Sequence, residues 1–408
     1  MREWTSGGPV GAPVAGARLV RPLPVERVER RWPGDCASLF APGDAGVRRV
    51  LGGPGTGKTS LVADVAVARI RDEGVDPESV LVLTQSRRAA VDMRERITAG
   101  LLARGESASA RRATREPLVR TVHSYAFAVL RLQASAHGNP PPRLLTGAEQ
   151  DSIVREMLQG ELADGAARWP EHLRPALGLS GFASEVRNLV LRAAERGLGP
   201  EDLVKLGRRH ARPAWVAVGQ FAAQYEQAMV LRGSVGVETP EATSPGLDAA
   251  ELVGSALTAF ATDPELLARE RARIRHVLVD DAQHLDPQAA TIVRAVASGA
   301  GTVLIVGDPD QTVYSFRGAD PAFLLEDPET RIVLTHNHRA TAPVGAAAAS
   351  VARTLPGRHD HRGASGFRDD PADGPTPGGA GNSSSRTRAV APARVVVTTS
   401  AAKEAAVG

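Results

Sequence analysis

The sequence has little cysteine and no long apolar run. Cys36 is the only cysteine among 408 residues, which excludes an internal disulfide framework, a cysteine-rich zinc site and a cysteine-ligated iron–sulfur cluster. No run of about 18 apolar residues occurs, so no transmembrane helix is predicted. The N-terminus contains arginines and prolines but lacks the apolar segment of a secretory signal. These absences predict a cytoplasmic protein.

Lysine is also scarce, although the chain is mildly basic. Lysine and arginine total 49 against 46 aspartates and glutamates, for a net charge of +3 and an isoelectric point near 9.4. Only Lys58, Lys205 and Lys403 are lysines. This balance is compatible with nucleic-acid binding and equally with a surface that is simply rich in arginine. The charge alone leaves both interpretations open.

Short apolar runs alternate with helical patterns in two parts of the chain. Residues 1–46 are rich in Gly, Pro and Arg and are interpreted as an irregular leader. Alternation of strands and helices then predicts an α/β fold with a doubly wound parallel sheet, formed by residues 47–139 and 266–345. The runs are near-continuously apolar, as in strands buried on both faces; they are Val47–Leu51, Val80–Thr84, Val119–Val122, His276–Asp280, Thr302–Gly307 and Arg331–Thr335.

The strand signals stop between residues 140 and 265, where an inserted all-α subdomain is predicted. Helical patterns there cover 147–163, 181–196, 201–210, 213–232 and 249–260. The large apolar side chains of this block are its candidate core residues, namely Trp169, Phe182, Trp215, Phe221 and Tyr225.

The composition changes again near the C-terminus. Residues 355–392 are rich in Gly, Pro, Ser, Asp and Arg, which predicts a disordered linker. Arg394–Thr399 has the pattern of a strand. Residues 393–408 are therefore expected to begin a second domain, and the chain is expected to be a truncated product.

A glycine-rich loop follows the first predicted strand and fits the phosphate-binding pattern G-x-x-x-x-G-K-[ST]. Glycines allow main-chain N–H groups to turn towards a phosphate, and the next helix aims its positive end at the anion. A chance glycine-rich turn is the alternative, but the flanking strand and helix, and the rarity of lysine, favour a nucleotide site. Its candidate residues are Gly52, Gly53, Pro54, Gly55, Thr56, Gly57, Lys58, Thr59 and Ser60.

The strand His276–Asp280 ends in two carboxylates, Asp280 and Asp281. In a phosphate-loop enzyme, an acidic residue at such a strand end holds Mg²⁺, and a second carboxylate nearby can orient the attacking water. The alternative is a helix N-cap, for which Asp is common. With the phosphate loop upstream, the pattern favours catalysis, with Thr59 and Asp280 as the metal ligands.

Further motifs occur in a fixed order along the chain, namely Val82–Met93, Thr121–Ala126, Asp280–Gln288, Val306–Ala319 and Leu334–Arg339. This order resembles that of superfamily 1 DNA helicases of the UvrD/Rep class. The segment Val306–Ala319 is the most specific, and it argues against an unrelated phosphate-loop NTPase such as an AAA+ ATPase or a kinase. The motifs are closest in form to the AdnA-type motor subunits of actinobacterial helicase–nucleases. The resemblance covers residues 47–340 and implies a RecA-like domain 1A whose helical insert is subdomain 1B.

The resemblance implies an ATP-dependent DNA helicase or translocase that uses ATP and Mg²⁺. The family's usual polarity is 3′→5′, its roles are DNA repair and recombination, and its substrate is single-stranded DNA or a junction of single and double strands. A second helicase–nuclease subunit is a candidate partner. A DNA-binding accessory protein that keeps the fold but turns over little ATP is the alternative.

The resemblance also assigns roles to individual residues. Gln311 would sense the γ-phosphate, Arg339 would be the arginine finger on it, and His338 stands where the family often has an adenine-stacking tyrosine. For Tyr314 and Phe316 the alternative is core packing, and for His123 it is a structural hydrogen bond. The residues implied to contact DNA are Thr84, Ser86, His123, Ser124, Tyr314 and Phe316.

Two departures from the family pattern affect the expected activity. Asp281 replaces the usual glutamate and sets the carboxylate back by roughly 1.5 Å, and a misplacement of about 1 Å can slow a reaction on the order of a hundredfold. No segment after residue 340 resembles motifs V and VI of the second motor domain. Because unwinding needs two such domains closing on ATP, the isolated chain is not expected to separate duplex DNA.

Overall fold

The structure is a computed structural model. It describes residues 30–41, 43, 46–102, 117–235, 246–247, 251–357 and 360–363. Most of the predicted leader, most of the predicted linker and the predicted second-domain strand at 393–408 lie outside the described residues. The unit described below starts at Pro33.

A six-stranded sheet forms the centre of the molecule, and all its neighbouring strands are parallel. Val50 of the first strand, for example, is in register with Val306 on one side and Ile332 on the other. The spatial order β3-β2-β6-β7-β1-β8 confirms the predicted α/β class. The strands are β1 (Gly46–Gly52), β2 (Val80–Thr84), β3 (Leu118–Thr121), β6 (His276–Val279), β7 (Thr302–Gly307) and β8 (Arg331–Leu334).

Helices cover both faces of this sheet. Leu81, Leu83 and Val277 face one core, while Val82 and Leu278 on the opposite face are also fully buried. This two-sided burial explains the continuous apolar runs. The helices of the sheet domain are α1 (Lys58–Asp72), α2 (Arg87–Leu102), α3 (Val122–Ala136), α8 (Glu251–Thr262), α9 (Pro264–Arg273), α10 (Pro287–Ala297), α11 (Ala322–Leu325) and α12 (Ala342–Ala352).

The helical insert has a separate core around Trp169 and Phe221, each 1% exposed. The Trp169 ring meets Phe182 edge to face with centroids 5.5 Å apart. Tyr225 is buried in this core, and Trp215 packs against it. These contacts agree with the predicted core residues. The insert helices are α4 (Gly147–Ala163), α5 (Ser180–Glu195), α6 (Pro200–Arg209) and α7 (Pro213–Val235).

The insert enters and leaves through two short paired strands. β4 (Arg143–Leu144) and β5 (Gly246–Leu247) run parallel, and the Leu145 N–H donates to the Leu247 carbonyl at 2.9 Å. The predicted boundary at residue 265 differs from the structure, because α8 buries Leu252 and Phe260 in the core of the sheet domain with α3 and α10. Helical periodicity shows that a face is apolar but not which core receives it.

Two predicted irregular regions contain ordered turns. In the leader, Gly34–Leu39 form a 3-10 helix with Cys36 buried, and Arg69 of α1 donates to the Leu39 carbonyl. In the predicted linker, Asp360–Gly363 form a 3-10 helix, so the prediction of disorder is wrong there. Local composition could not reveal this turn, because its partners lie about fifty residues earlier in the chain.

Within the described residues, no helix combines the length and apolarity that a bilayer span requires.

Candidate functional site

The polar residues that the sequence singles out lie in loops at one edge of the sheet. The phosphate loop follows β1, the paired carboxylates follow β6, the Asp308–Gln311 turn follows β7, and the Asn337–Arg339 turn follows β8. These four strands are neighbours in the sheet order. Because parallel strands present their carboxyl ends at the same edge, their loops converge on one crevice, where ligands of open α/β sheets bind.

The phosphate loop wraps around the side chain of Lys58, the first residue of α1. The Lys58 Nζ donates to the carbonyl oxygens of Gly52 at 2.7 Å and Gly53 at 2.9 Å. Burial lowers the pKa of Lys58, and the charges of Asp308, Asp281 and Asp280 oppose that shift. A buried ammonium surrounded by carboxylates and loop carbonyls is held where an anionic ligand could meet it.

Geometry requires glycine at three points of this loop. A Cβ on Gly52 would lie 2.4 Å from the Thr56 hydroxyl oxygen. Gly55 and Gly57 have φ of +83° and +93°, the left-handed region that favours glycine. The main chain of the loop thus surrounds an open space, which side chains at these glycine positions would fill.

Asp280 faces the hydroxyl of Thr59 across this crevice. Asp280 is 5% exposed, and burial together with the negative charge of Asp281 raises its pKa. The hydrogen bond with Thr59 and the charge of Lys58 act in the opposite direction. A hydroxyl oxygen beside a buried carboxylate is the donor set that Mg²⁺ accepts, so these two residues could hold the ion.

Asp281 is fixed by two glutamines that the sequence did not single out. Its carboxylate accepts from Gln85 Nε2 at 3.0 Å and from Gln283 Nε2 at 3.3 Å, and its φ is +53°. The Gln283 Oε1 also accepts the main-chain N–H of Asp308 at 3.0 Å. Gln283 therefore joins the loops after β6 and β7. The sequence signal that could have identified Gln283 is its position in the motif that begins at Asp280.

Asn337 fastens the turn after β8 to the phosphate loop. Its Nδ2 donates to the Pro54 carbonyl at 2.8 Å, and its Oδ1 accepts the N–H groups of Arg339 and Ala340, each at 2.9 Å. A Cβ on Gly55 would lie 2.6 Å from this Oδ1. The sequence placed Asn337 in the motif Leu334–Arg339 but assigned it no role, because its partner lies 283 residues away.

His338 and Arg339 consequently lie beside the phosphate loop. The His338 N–H donates to the Gly55 carbonyl at 2.9 Å, and the His338 ring centroid lies 4.4 Å from that of His336. Both His338 and Arg339 are exposed. The positive charge of Arg339 contributes to the lowered pKa of Lys58, as two neighbouring cations require.

Gln311 ends a 3-10 helix that follows β7. Its Nε2 donates to Asp308 Oδ2 at 2.6 Å. Asp308 is 1% exposed and is itself among the charges that act on Lys58. The structure therefore places Gln311 on the same crevice as the phosphate loop and the paired carboxylates.

A cavity of about 720 Å³ adjoins this crevice and lies between the sheet edge and α5. Asp280 and Asp281 contribute to its wall. Ser124 is not part of the lining; its N–H donates to the Thr121 hydroxyl in the first turn of α3. The residues predicted to contact DNA that do line the cavity are Thr84, Ser86, His123, Tyr314 and Phe316.

Tyr314 and Phe316 present their rings to solvent at the cavity. They are 40% and 67% exposed, and their centroids lie 6.3 Å apart. The Arg317 guanidinium lies 5.7 Å from one ring centroid and 5.5 Å from the other. The alternative that these two rings pack in a core is wrong.

The wall opposite these rings comes from α5 of the insert, which sequence reasoning did not connect with the site. Arg187, Arg192 and Glu195 line the cavity, and Arg187 donates to Asp151 at 2.6 Å. Burial raises the pKa of Glu195 to about 7, and the negative charge of Asp286 adds to the shift. Helical periodicity alone gives no signal for such a wall, because it depends on how the insert docks.

A phosphate loop after β1 that faces a buried carboxylate after β6, with β7 between these two parallel strands, defines a phosphate-loop NTPase fold. Comparison with known proteins is more specific. Residues 41–331 match the UvrD/REP helicase N-terminal domain family, and the chain belongs to that family. The resemblance to the UvrD/Rep class is thereby confirmed, while the closer resemblance to AdnA-type motor subunits stays a prediction.

Individual relatives are similar at a lower level. The chain is 27% identical over 327 residues to the ATP-dependent DNA helicase UvrD1 of Mycobacterium tuberculosis, covering 77% of this chain and 38% of the relative. It is 26% identical to DNA helicase II of Haemophilus influenzae, with 72% and 37% covered. It is 25% identical to the ATP-dependent DNA helicase PcrA of Staphylococcus aureus, with 74% and 37% covered. The chain thus spans less than two fifths of the length of these relatives.

Proposed function

We propose that this chain binds ATP with Mg²⁺ and couples ATP hydrolysis to movement on single-stranded DNA, as the ATP-binding part of a helicase. The observation that carries the proposal is that the nucleotide crevice and the cavity with the exposed rings share residues in their walls. Asp280 and Asp281 of the nucleotide crevice line the same cavity as the exposed rings of Tyr314 and Phe316. The segment after β7 also carries Gln311 and Phe316 only five positions apart, so one loop reaches both sites.

The residues of the crevice fit ATP and Mg²⁺. The glycine cradle leaves room for phosphate oxygens, and Lys58 would exchange its two carbonyl contacts for them. Thr59 and Asp280 would hold Mg²⁺, which when bound neutralises charge on the β- and γ-phosphate oxygens. Asp281 would orient the attacking water.

Three residues from the other loops complete the proposed nucleotide site. Gln311 would contact the γ-phosphate, and Arg339 would bring a positive charge to it. His338, exposed beside Gly55, would lie against the base.

The cavity fits a single strand of DNA. Exposed aromatic rings stack on any base, which suits a protein that must pass over every sequence. Thr84, Ser86 and His123 would contact the strand mainly through its backbone. The contact with Ser124, which does not line the cavity, stays a prediction. From the family resemblance we further propose 3′→5′ polarity, a role in DNA repair or recombination, a cytoplasmic location and a helicase–nuclease partner subunit.

A nucleotide titration tests the first half of the proposal. Lys58→Ala should remove most of the affinity for a fluorescent ATP analogue with Mg²⁺, because it deletes the cation inside the phosphate loop. Lys205→Ala is the matched control, since Lys205 is exposed on α6 of the insert. Equal affinity of the wild-type chain and Lys58→Ala would refute the nucleotide site.

Fluorescence anisotropy with a labelled single-stranded oligonucleotide tests the second half. Phe316→Ala should weaken binding by about 1–3 kcal/mol if the ring stacks on a base. Leu179→Ala is the control, because Leu179 is 61% exposed but lies outside the cavity lining. An unchanged affinity for Phe316→Ala would contradict the proposed DNA site.

A further inference from the structure

The 3-10 turn Asp360–Gly363, here called the strap, lies on two loops of the nucleotide crevice. Its His361 is 2% exposed, and the His361 carbonyl oxygen lies 3.9 Å from the position that a Cβ on Gly53 would take. The strap also contacts β1, β8 and α12. A segment that follows the last sequence motif therefore lies beside the phosphate loop.

The strap supplies donors to both carboxylates of the turn after β7. His361 Nε2 lies 2.9 Å from Asp308 Oδ1 and 3.2 Å from Asp310 Oδ2. Carboxylate oxygens only accept hydrogen bonds, so these two short distances suit a His361 side chain that acts as the donor. Arg362 binds Asp310 through two bonds, from Nε at 2.7 Å and from Nη2 at 2.5 Å. This is the fork geometry that fixes a carboxylate most firmly.

Arg362 also fixes the strap to the chain before it. Its Nη2 donates to the Pro356 carbonyl at 2.9 Å, and its Nη1 donates to the Gly357 carbonyl at 2.7 Å. The ligand atoms of Asp308, Asp310 and His361 lie within 4.8 Å of one another, a spacing that a divalent cation could bridge. The Arg362 guanidinium already binds both oxygens of Asp310, so it takes the place that a divalent cation would have there.

Asp308 connects the strap to Gln311. It is 1% exposed, and although burial raises its pKa, hydrogen bonds from His361 and Gln311 hold the pKa below the ordinary value. Its Oδ1 accepts the N–H of Asp310 at 3.0 Å, and its Oδ2 accepts Gln311 Nε2 at 2.6 Å. A buried carboxylate that loses a donor must shift towards another, and Gln311 would shift with it.

Building on the proposed function, we propose that His361 and Arg362 are positioning residues. They hold Asp308 and Asp310 in place, and through Asp308 they fix Gln311 where it can distinguish ATP from ADP by the γ-phosphate. Neither residue touches the nucleotide in this role.

The first test needs no nucleotide. Amide hydrogen exchange at Asp310 and Gln311 reports the turn directly, because both N–H groups donate to Asp308. In the 408-residue chain, His361→Ala and Arg362→Ala should both accelerate this exchange. His210→Ala and Arg353→Ala are matched controls at exposed positions and should leave it unchanged.

The second test measures the ratio of the affinities for a slowly hydrolysed ATP analogue and for ADP by calorimetry. His361→Ala should lower this ratio by about fivefold, and Gln311→Ala should lower it similarly. The double variant His361→Ala/Gln311→Ala should lower the ratio no further than either single variant, as expected when one residue acts through the other. Arg362→Lys should recover part of the ratio that Arg362→Ala loses, because it restores the charge without the fork.

The outcomes separate this inference from the proposed function. Wild-type exchange rates in both strap variants would overturn the inference. An additive loss in the double variant would overturn the step through Gln311. A wild-type chain that binds neither nucleotide would refute the proposed function, while the exchange test would still decide whether the strap holds the turn. His361→Gln retains a donor and serves if His361→Ala unfolds.

Discussion

At the scale of single residues, Asp281 combines a side chain that is shorter than the glutamate expected there with contacts that fix its carboxylate. It stands where the helicase family usually has glutamate, and two glutamines hold its carboxylate from both sides. Its left-handed backbone, with φ of +53°, is sparsely populated by non-glycine residues. The two glutamines and this backbone conformation together fix the direction of the short carboxylate.

Lengthening this side chain should raise the rate of ATP hydrolysis. Asp281→Glu extends the carboxylate by roughly 1.5 Å, and we expect DNA-stimulated turnover to rise on the order of tenfold. Asp327→Glu is the matched control, because Asp327 is also left-handed, with φ of +45°, and is exposed. Turnover that stays level or falls would mean that the glutamines already place the shorter carboxylate correctly.

Gly55 is the position where a single methyl group should be most damaging. Gly55→Ala combines a φ of +83° with a Cβ 2.6 Å from Asn337 Oδ1. Gly74→Ala isolates the backbone strain, since Gly74 has φ of +66° and open space around it. We expect Gly74→Ala to cost about 1 kcal/mol in unfolding free energy, and Gly55→Ala to cost more and to abolish binding of the ATP analogue. Equal losses of stability, with nucleotide binding intact, would contradict the close contact.

Glu195 should make the proposed DNA cavity sensitive to pH. Its pKa is raised from 4.5 to about 7, so its neutral form is favoured in the folded chain, and stability falls as the pH rises between these values. Above pH 7 the ionised side chain adds negative charge to the cavity, and affinity for single-stranded DNA should decrease.

The variant Glu195→Gln isolates this effect from other titrating groups. It should flatten the change in oligonucleotide affinity between pH 6 and pH 8, measured by anisotropy. An identical pH profile for the wild-type chain and the variant would assign the effect to other groups, such as His284.

At the scale of elements, the sequence predicted all six strands to within about a residue, because both faces of the sheet are buried and the runs are continuously apolar. Three insert helices, α4, α5 and α6, were also predicted to within a residue, whereas α7 ends three residues later than predicted. The features that the sequence did not predict depend on residues that are distant along the chain. The packing of α8, the docking of α5 and the order of the strap are all decided by contacts with other parts of the chain.

The same division holds within the candidate site. The phosphate loop and the paired carboxylates are local patterns with chemical meaning, and the sequence reveals them. Gln85, Gln283 and Asn337 bind partners on other loops, and only the assembled sheet edge brings them together.

The start of α4 offers a test of local stabilisation. Thr146 and Glu149 form a reciprocal capping box, with N–H to side-chain bonds of 3.2 Å and 2.7 Å. Thr146→Ala should lower the unfolding free energy by about 1 kcal/mol, measured by urea denaturation. Thr258→Ala is the control, because that exposed hydroxyl bonds only within its own helix. Equal effects at the two sites would contradict the cap.

At the scale of the whole molecule, the insert is anchored at its base and at its cavity wall. The base is the β4–β5 pair. The wall is held by Gln288 of α10, whose Nε2 donates to the Ala194 carbonyl of α5 at 2.6 Å. The helix that follows the paired carboxylates is therefore bonded to α5, which lines the cavity.

Removal of the insert should separate the two proposed activities. Replacing residues 145–245 with a four-residue Gly/Ser linker joins chain ends that lie on paired strands, and four residues reach up to about 13 Å. We expect cooperative unfolding and affinity for the ATP analogue to persist, while oligonucleotide binding weakens because the α5 wall is gone. Loss of nucleotide binding in a folded variant would show that the insert supports the crevice itself.

The β4–β5 pair also has an evolutionary consequence. The two ends of the insert lie side by side in the β4–β5 pair. The entropic cost of closing the inserted segment therefore depends only weakly on its length, and each doubling of that length costs only about 0.6 kcal/mol. Descendants of such a chain can lengthen, trim or exchange the intervening helices without shifting the register of the sheet. The tolerance for change is concentrated at this one point of entry, where β4 and β5 pair.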